Sequence, residues 1–400
     1  MLSNGDLCST ELPDVKKLCY AATTPAVVHA FLRVHIQAAA DKYEVTVICN
    51  SADKHLLDGL NVRVILLPIE RRPSPWRDML VLFQLFKLFR RERFDIVHSI
   101  MPKTGMLAML AARLARLPIR IHTFTGQVWV TKHGAQRMLL KWFDKLIGNL
   151  ATCILADSPS QRDFLVNEKV LQPGKAKVIG AGSICGVDPL RFHPDFEVRQ
   201  TVRHDLGITK DARVILFVGR LNQDKGILDL AAAFNVIAKH NPDVVLLLVG
   251  AEEDVPFNRI QEICYAERDR LHYVSFTSTP ERYMAAADIF CLPSYREGFG
   301  MTIIEAAACA VPAVASRIYG ITDAVADGKT GLLFPAGDVI SLTRTLLKLI
   351  TEHDMRQQIG SAAYVRALEL FSGKKVTRHL VMLYDSLSEG SRGKNDKTPN

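Results

Sequence analysis

Thirteen short apolar runs, each separated from the next by a segment long enough for a helix or a tight connection, constrain this chain more than any other feature. Parallel strands need crossovers, usually helical, so this alternation is the pattern of parallel α/β sheets. A first set reads as strands at 18–22, 44–49, 63–68, 96–99, 119–124, 152–156 and 177–180, and a second at 214–218, 244–249, 271–276, 289–293, 313–316 and 331–334. Between the sets lies GAGSICGVDPLRFHPD, residues 180–195, rich in Gly and Pro and without periodicity, where a hinge belongs. The expected fold is α/β, with two Rossmann-like, doubly wound parallel-sheet domains facing across a cleft. Residues 1–190 form the first and 191–389 the second, whose last part, 337–389, is helical. The polar segment 390–400 reads as a disordered tail. Open parallel sheets bind ligands at the carboxyl ends of their strands, so two such domains imply a two-substrate enzyme.

Composition narrows the class. Hydrophobic residues make up 48% and charged residues 23%, which excludes collagen-like, disordered and low-complexity chains. Eight cysteines without a C-x-x-C pair argue against zinc ribbons and a disulfide framework. The first twenty residues carry acids and lack an apolar stretch, so no secretory signal is expected and the reading places the protein in the cytoplasm. No run of about 18 apolar residues is free of charges, so no membrane span is expected. The net charge of +8 is concentrated: residues 71–145 hold fifteen Lys or Arg against four acids. That half should meet an acidic surface, either nucleic acid or anionic lipid.

Two segments carry chemistry. In RVILFVGRLNQDKGILDLAAAF, residues 213–234, a strand runs into Gly219, Arg220, a polar loop, Lys225, Gly226 and a helix. The free N–H groups of a helix start, flanked by two cations, form a cradle for a diphosphate, although the same charges also suit a solvated loop. In CLPSYREGFGMTIIEAAACAVPAVAS, residues 291–316, a glycine-containing loop again joins strand to helix and sets Glu297 and Glu305 eight positions apart. Carboxylates accept hydrogen bonds from sugar hydroxyls; Gly298 and Gly300 let backbone approach a ligand. Thr302-x-x-Glu305 is equally a capping box, in which Glu305 would satisfy a backbone N–H.

With these residues in place the chain resembles the retaining glycosyltransferase family 4 of the GT-B fold over roughly residues 15–389. GR-x4-KG at 219–226, ADIFCLPS at 287–294, E-x7-E at 297–305 and DGKTGLLF at 327–334 stand in that family's order. The resemblance implies that Gly219, Arg220 and Lys225 hold the donor's diphosphate, that Glu297 faces the donor sugar and that Glu305 takes the ribose hydroxyls. Backbone at Gly298, Phe299, Gly300, Met301 and Thr302 would line the phosphates, and the base would sit near 276–280. It further implies transfer with retention, in which a nucleoside diphosphate leaves an oxocarbenium-like sugar and the acceptor hydroxyl enters on the same face. No cofactor and no metal are expected; no D-x-D is present, and Glu252-x-Asp254 reads as an exposed loop.

The amino-terminal half departs from the family pattern. AATTPAVV at 21–28 puts Thr23 and Thr24 where many members have a Gly-Gly loop, and Thr125 stands where members often carry a histidine. His122, three residues earlier, is the candidate catalytic histidine, and His98 a second candidate at a strand end. HTFTGQVW, GAGSICGVD and HSIMPKTG look like members that build bacterial capsule, O-antigen or related surface glycans on a polyprenyl diphosphate. Residues 77–94 fit such an acceptor: Leu82, Phe83, Leu85, Phe86 and Phe89 stand beside Arg90, Arg91 and Arg93, which suits the inner face of the cytoplasmic membrane, or alternatively a sheet-covering helix with a basic end. The expected partners are therefore a nucleotide-sugar donor, a polyprenyl-diphosphate-linked saccharide and an anionic membrane surface, not nucleic acid. UDP is the nucleotide expected by family frequency. Competing readings are a nucleotide-sugar epimerase or hydrolase of the same fold and a basic nucleic-acid-binding protein, for which no zinc, helix-turn-helix or RNP signature is present. A dinucleotide oxidoreductase lacks its G-x-G-x-x-G.

Overall fold

The structure is a computed structural model that describes residues 15–50, 57–70 and 74–395, with side chains as far as residue 390. The first unit comprises β1 (Lys17–Ala21), α1 (Pro25–Val27), which continues through a π-type turn into α2 (Arg33–Ala40), β2 (Glu44–Cys49), β3 (Arg63–Leu66), α3 (Pro75–Glu92) and β4 (Ile96–Ile100). It continues with α4 (Pro102–Leu114), β5 (Ile119–Phe124), α5 (Gly134–Leu150), β6 (Cys153–Ala156), α6 (Pro159–Asn167) and β7 (Ala176–Val178). The second runs α7 (Phe196–Asp205), β8 (Arg213–Val218), α8 (Ile227–Ala238), β9 (Val244–Val249), α9 (Phe257–Ile263), β10 (Leu271–Val274), α10 (Pro280–Ala286) and β11 (Ile289–Leu292). It ends with α11 (Met301–Ala308), β12 (Ala313–Ser316), α12 (Ile321–Ala324), β13 (Gly331–Phe334), α13 (Val339–Thr351), α14 (His353–Leu370) and α15 (Gly373–Asn395).

All thirteen expected strands are present, with ends within two residues of those read from the sequence. They make a seven-stranded sheet, β3-β2-β1-β4-β5-β6-β7, and a six-stranded one, β10-β9-β8-β11-β12-β13, every pairing parallel. Strands such as VVLLLV in β9 are buried along their whole length because helices cover both faces, and so they read as continuous apolar runs rather than alternating ones. In each sheet the order reverses beside the first strand, between β1 and β4 and between β8 and β11, which opens a crevice at the carboxyl ends.

Helix α15 leaves the second unit and packs against α2 and β5 of the first. Its Tyr384, wholly buried, bonds His98 Nδ1 at 2.6 Å and Tyr20 Oη at 3.1 Å, while Thr377 meets His35 Nδ1 at 2.9 Å. The two segments that connect the units run side by side: Val187 N–H donates to the Phe371 carbonyl at 2.8 Å, and Gly373 N–H returns to Val187 at 2.8 Å. The helix continues to Asn395, whereas the composition of 390–400 reads as a disordered tail; residues 396–400 lie outside those described.

Helix α3 turns a different face outward from the one its composition suggests. Leu85 and Phe89 are buried in the core and Leu82 and Phe86 half-buried, so of the five apolar residues expected at a membrane only Phe83 is exposed. The exposed stripe is instead Trp76, Met79, Leu80 and Phe83, at the i, i+3, i+4 and i+7 spacing of one helix face. Beyond α4, helix α5 exposes Met138, Leu139 and Trp142. Among the described residues no helix is long and apolar enough to cross a membrane.

Candidate active site

Two loops flank the reversal point of the second sheet. After β8 the chain passes Gly219 and Arg220, makes one 3-10 turn over Gln223–Lys225, and enters α8 through Gly226. The Asn222 side chain accepts from Lys225 N–H at 2.9 Å and holds that turn. Gly226 has φ +67°, and a Cβ there would lie 2.0 Å from the Pro293 carbonyl oxygen, so the start of α8 is pressed against the second loop. That loop, residues 293–300, follows β11 and enters α11 through Gly300, whose φ of +82° makes it the N-cap.

The charged side chains meet as the sequence arranges them. Lys225 Nζ forms an ion pair with the Glu297 carboxylate, which also accepts from Ser294 Oγ at 2.9 Å. Arg220 is ion-paired with Glu253 from the β9–α9 loop, and Arg296 with Asp224 at 2.7 Å. The caps of α8 and α11 are glycines, so no side chain takes the first amides of either helix, and those left unbonded are the groups an anion would meet; Ile303 N–H already donates to the Gly300 carbonyl at 2.9 Å. Cations and open amides together can hold a diphosphate, with Glu297 placed for a neighbouring hydroxyl.

Glu305 lies one turn into α11, half-buried, and burial pushes its carboxyl up to about 7 against the pull of Arg191. The capping box with Thr302 is not formed, because Gly300 takes the N-cap and leaves Thr302 inside the first turn. Phe299 is buried edge-on against Phe371, ring centres 5.0 Å apart, and anchors the loop rather than lining it with its side chain. Met301 accepts from Ser183 Oγ at 2.9 Å. Of the Glu252–Asp254 segment, Asp254 accepts from Gln223 N–H at 3.0 Å.

Neither candidate histidine reaches the cleft. His122 stands inside β5 rather than at its end, is 1% exposed, bonds Ser99 Oγ at 2.9 Å and packs edge-on against Phe124. A Cβ on Gly105 would fall 2.3 Å from its ring, so α4 seals it in, and burial pulls it down to about 3. His98 is locked between Thr123 and Tyr384, also pulled down to about 3. Strand periodicity points these rings into the protein, and a sequence has no marker for which face a helix will cover. Thr23 Oγ1 is likewise taken, by Thr104 at 2.5 Å.

A wall of the first unit that the sequence reading passed over closes on the 297–300 loop. Gly126 and Asp157 lie so near Gly298 that a Cβ there would stand 2.8 Å from Gly126 N and 2.5 Å from Asp157 Oδ2. Ser158 Oγ donates to the Gly298 carbonyl at 3.3 Å, Ser160 N–H to Asp323 at 2.9 Å, and Phe164 stacks on Tyr319 at 4.2 Å. ADSPSQ follows β6 at its carboxyl edge, so the strand-end rule applied to the other loops also marks this one. Asp157 Oδ1 is buried without a hydrogen-bond partner among the described residues, and burial pushes the carboxyl up to about 8.

Burial also holds Asp144, bonded to Trp129, up at about 7. Asp144, Asp157 and Glu305 are thus held above the ordinary carboxylate range, and stability from keeping them neutral is full below about pH 4 and lost as pH rises through 7 to 8. The buried histidines, pulled down, act only below about pH 6.5 and in the opposite sense. The unfolding temperature is therefore expected to be several degrees lower near pH 9 than near pH 6, which calorimetry across that range measures.

The chain matches two family models: "Glycosyl transferase 4-like domain" over residues 24–182 and "Glycosyl transferases group 1" over residues 198–366. It is 30% identical over 350 residues to a capsular polysaccharide biosynthesis glycosyltransferase, CapM, of Staphylococcus aureus, an alignment that covers 87% of this chain and 91% of that protein. It is 29% identical over 318 residues to the UDP-Gal:alpha-D-GlcNAc-diphosphoundecaprenol alpha-1,3-galactosyltransferase of Escherichia coli, covering 77% and 80%. Among solved structures, sucrose-phosphate synthase from Thermosynechococcus elongatus superposes with a TM-score of 0.78 at 21% identity over 94% of this chain and all of that one, 100%. Anabaena HepE in complex with UDP and glucose does so with a TM-score of 0.76 at 20% identity, over 93% and 100%.

Proposed function

We propose, from the premise that this chain belongs to the glycosyltransferases and has their GT-B fold, that it moves a hexose or derivative from a UDP-sugar to a polyprenyl-diphosphate-linked saccharide in surface polysaccharide synthesis. The observation that carries the reading is the convergence of Arg220, Lys225 and Glu297 with the open amides of α8 and α11 at one reversal point. The pyrophosphoryl group would lie across those amides, and Arg220 and Lys225 would stabilise the charge that develops as UDP leaves, a preorganised electrostatic role. Glu297, released from Lys225, would take a hydroxyl of the transferred sugar, and Glu305 the ribose. Transfer with retention, in which the acceptor hydroxyl enters on the face that the nucleoside diphosphate leaves, is part of this reading. The relatives' names, one a capsule enzyme and the other a diphosphoundecaprenol galactosyltransferase, support the acceptor class.

The purified chain, given a panel of nucleotide sugars, should release nucleoside diphosphate faster when a polyprenyl-diphosphate saccharide is present. No release with any donor and acceptor would overturn the reading.

The same reading puts the first unit on the inner face of the cytoplasmic membrane through Trp76, Phe83 and Trp142, with the exposed Lys87 and Arg90 on the same helix as the first two. Replacing the three aromatics with Ser is expected to weaken binding to anionic vesicles at least about tenfold, with exposed aromatics each contributing on the order of 1 kcal/mol or more of transfer. Replacing Arg90, Arg91 and Arg93 with Ser should do so in a salt-dependent way, at roughly 1 kcal/mol for each charge. In both variants hydrolysis of soluble donor should be spared; vesicle sedimentation beside a donor-hydrolysis assay measures the difference.

A further inference from the structure

Each cation of the donor site is paired with a carboxylate. Arg220, Lys225 and Arg296 face Glu253, Glu297 and Asp224 pair by pair, so an incoming diphosphate finds each cation already in partnership. Two of those carboxylates belong to the same two loops as the cations. Glu253 alone is brought from elsewhere, the β9–α9 loop, and it is held in place. Leu221 N–H donates to Ala251 at 2.9 Å, Glu253 N–H to Leu221 at 3.1 Å and Val255 N–H to Leu221 at 3.2 Å. Leu221 itself is fully buried, so these bonds fix the two loops against each other. Asn222 joins the groups further: its oxygen accepts from Lys225 N–H and its amide nitrogen donates to Glu253. Both oxygens of the Glu253 carboxylate accept from one Arg220 nitrogen, Nη1, a donor that a phosphate oxygen would also take.

We propose that Glu253 is an exchange ligand for Arg220, holding the guanidinium when the site is empty, yielding it to the diphosphate of the bound donor, and reclaiming it as the nucleoside diphosphate departs. The inference rests on the reading that this site takes a nucleoside diphosphate. A carboxylate fixed beside the cation competes with the ligand for the same donors, so it lowers affinity for donor and product alike and speeds product release. With side chains of 41% and 33% exposure, the Arg220–Glu253 pair is screened by water, which limits the size of the competition. The pair therefore leaves an effect of a few fold rather than orders of magnitude. A carboxylate that merely supported the loop would have the opposite signature, since its loss would loosen Arg220 and weaken binding.

Titration calorimetry with UDP at low salt separates the two. Glu253→Gln is expected to bind UDP about two- to fivefold more tightly than the wild type, with the inhibition constant of UDP in the transfer assay falling in step. Glu253→Asp, which retracts the carboxylate by one methylene, should move binding in the same direction and decides the matter if the first variant does not fold. Uptake of UDP by the wild type with equal or weaker uptake by the folded variants overturns the role of Glu253 alone. A folded wild-type chain that takes up neither UDP nor any UDP-sugar overturns the donor reading, and this one with it.

Discussion

Replacing Lys225 with Ala is expected to lower transfer by about 10²- to 10³-fold while leaving the fold intact. Removing one preorganised donor from a site of developing negative charge typically costs that much, about 2.7 to 4 kcal/mol. Lys225 is placed for such an effect: its side chain is only 23% exposed, it sits at the end of a turn pinned by Asn222, and its partner Glu297 is 13% exposed. Its loss also leaves Glu297 without its cation beside the departing diphosphate, adding repulsion to the missing attraction. Glu297→Ala, which frees Lys225 for the phosphate, should be milder, at least about tenfold or about 1.4 kcal/mol. Values of kcat/KM for both, with circular dichroism to confirm folding, make the comparison; wild-type turnover in both would show that the site lies elsewhere.

Gly226→Ala is expected to be more damaging to the protein itself, at about 3 kcal/mol of stability or more. A side chain in the left-handed region costs roughly 1 to 2 kcal/mol by itself. The added Cβ would also meet the Pro293 carbonyl oxygen at 2.0 Å, and neither backbone can yield easily, since one opens α8 and the other follows β11. Forcing them apart would move Lys225 away from Glu297, so transfer should fall with stability. Gly328→Ala is the matched control, because Gly328 has φ +73° but nothing within 4 Å of its Cβ position. It should lose about 1 to 2 kcal/mol and keep its turnover. Thermal unfolding and transfer rates of the two variants test the pair.

The strands were legible because their burial on both faces writes itself into continuous Val, Ile and Leu runs, and the two loops because each sits where such a run ends. What was not legible depends on partners distant in sequence. His122 and His98 look like cleft residues until α4 and α15 close over them, and nothing periodic announces that α15 will return to the first sheet. The apolar residues of α3 could be recognised as one amphipathic helix, but which of its faces meets the sheet was settled by packing, and it put Leu85 and Phe89 inside and Trp76 outside. The capping box failed for a local reason: a left-handed glycine two positions earlier had already started the helix. Asp157 and Glu253 went unread because each acts toward a loop of which it is not part.

The side-by-side connections at Val187 and Phe371–Gly373 give the molecule a doubled pivot. Two segments of the chain bonded to each other at one spot make a single narrow crossing between the lobes. Tyr384 and Thr377 fasten the returning helix to Tyr20, His98 and His35, so the chain's last helix is anchored inside the first lobe beyond that crossing. A substitution deep in that helix, such as Tyr384→Phe, would therefore weaken the hold of one lobe on the other without touching a charged group of the cleft.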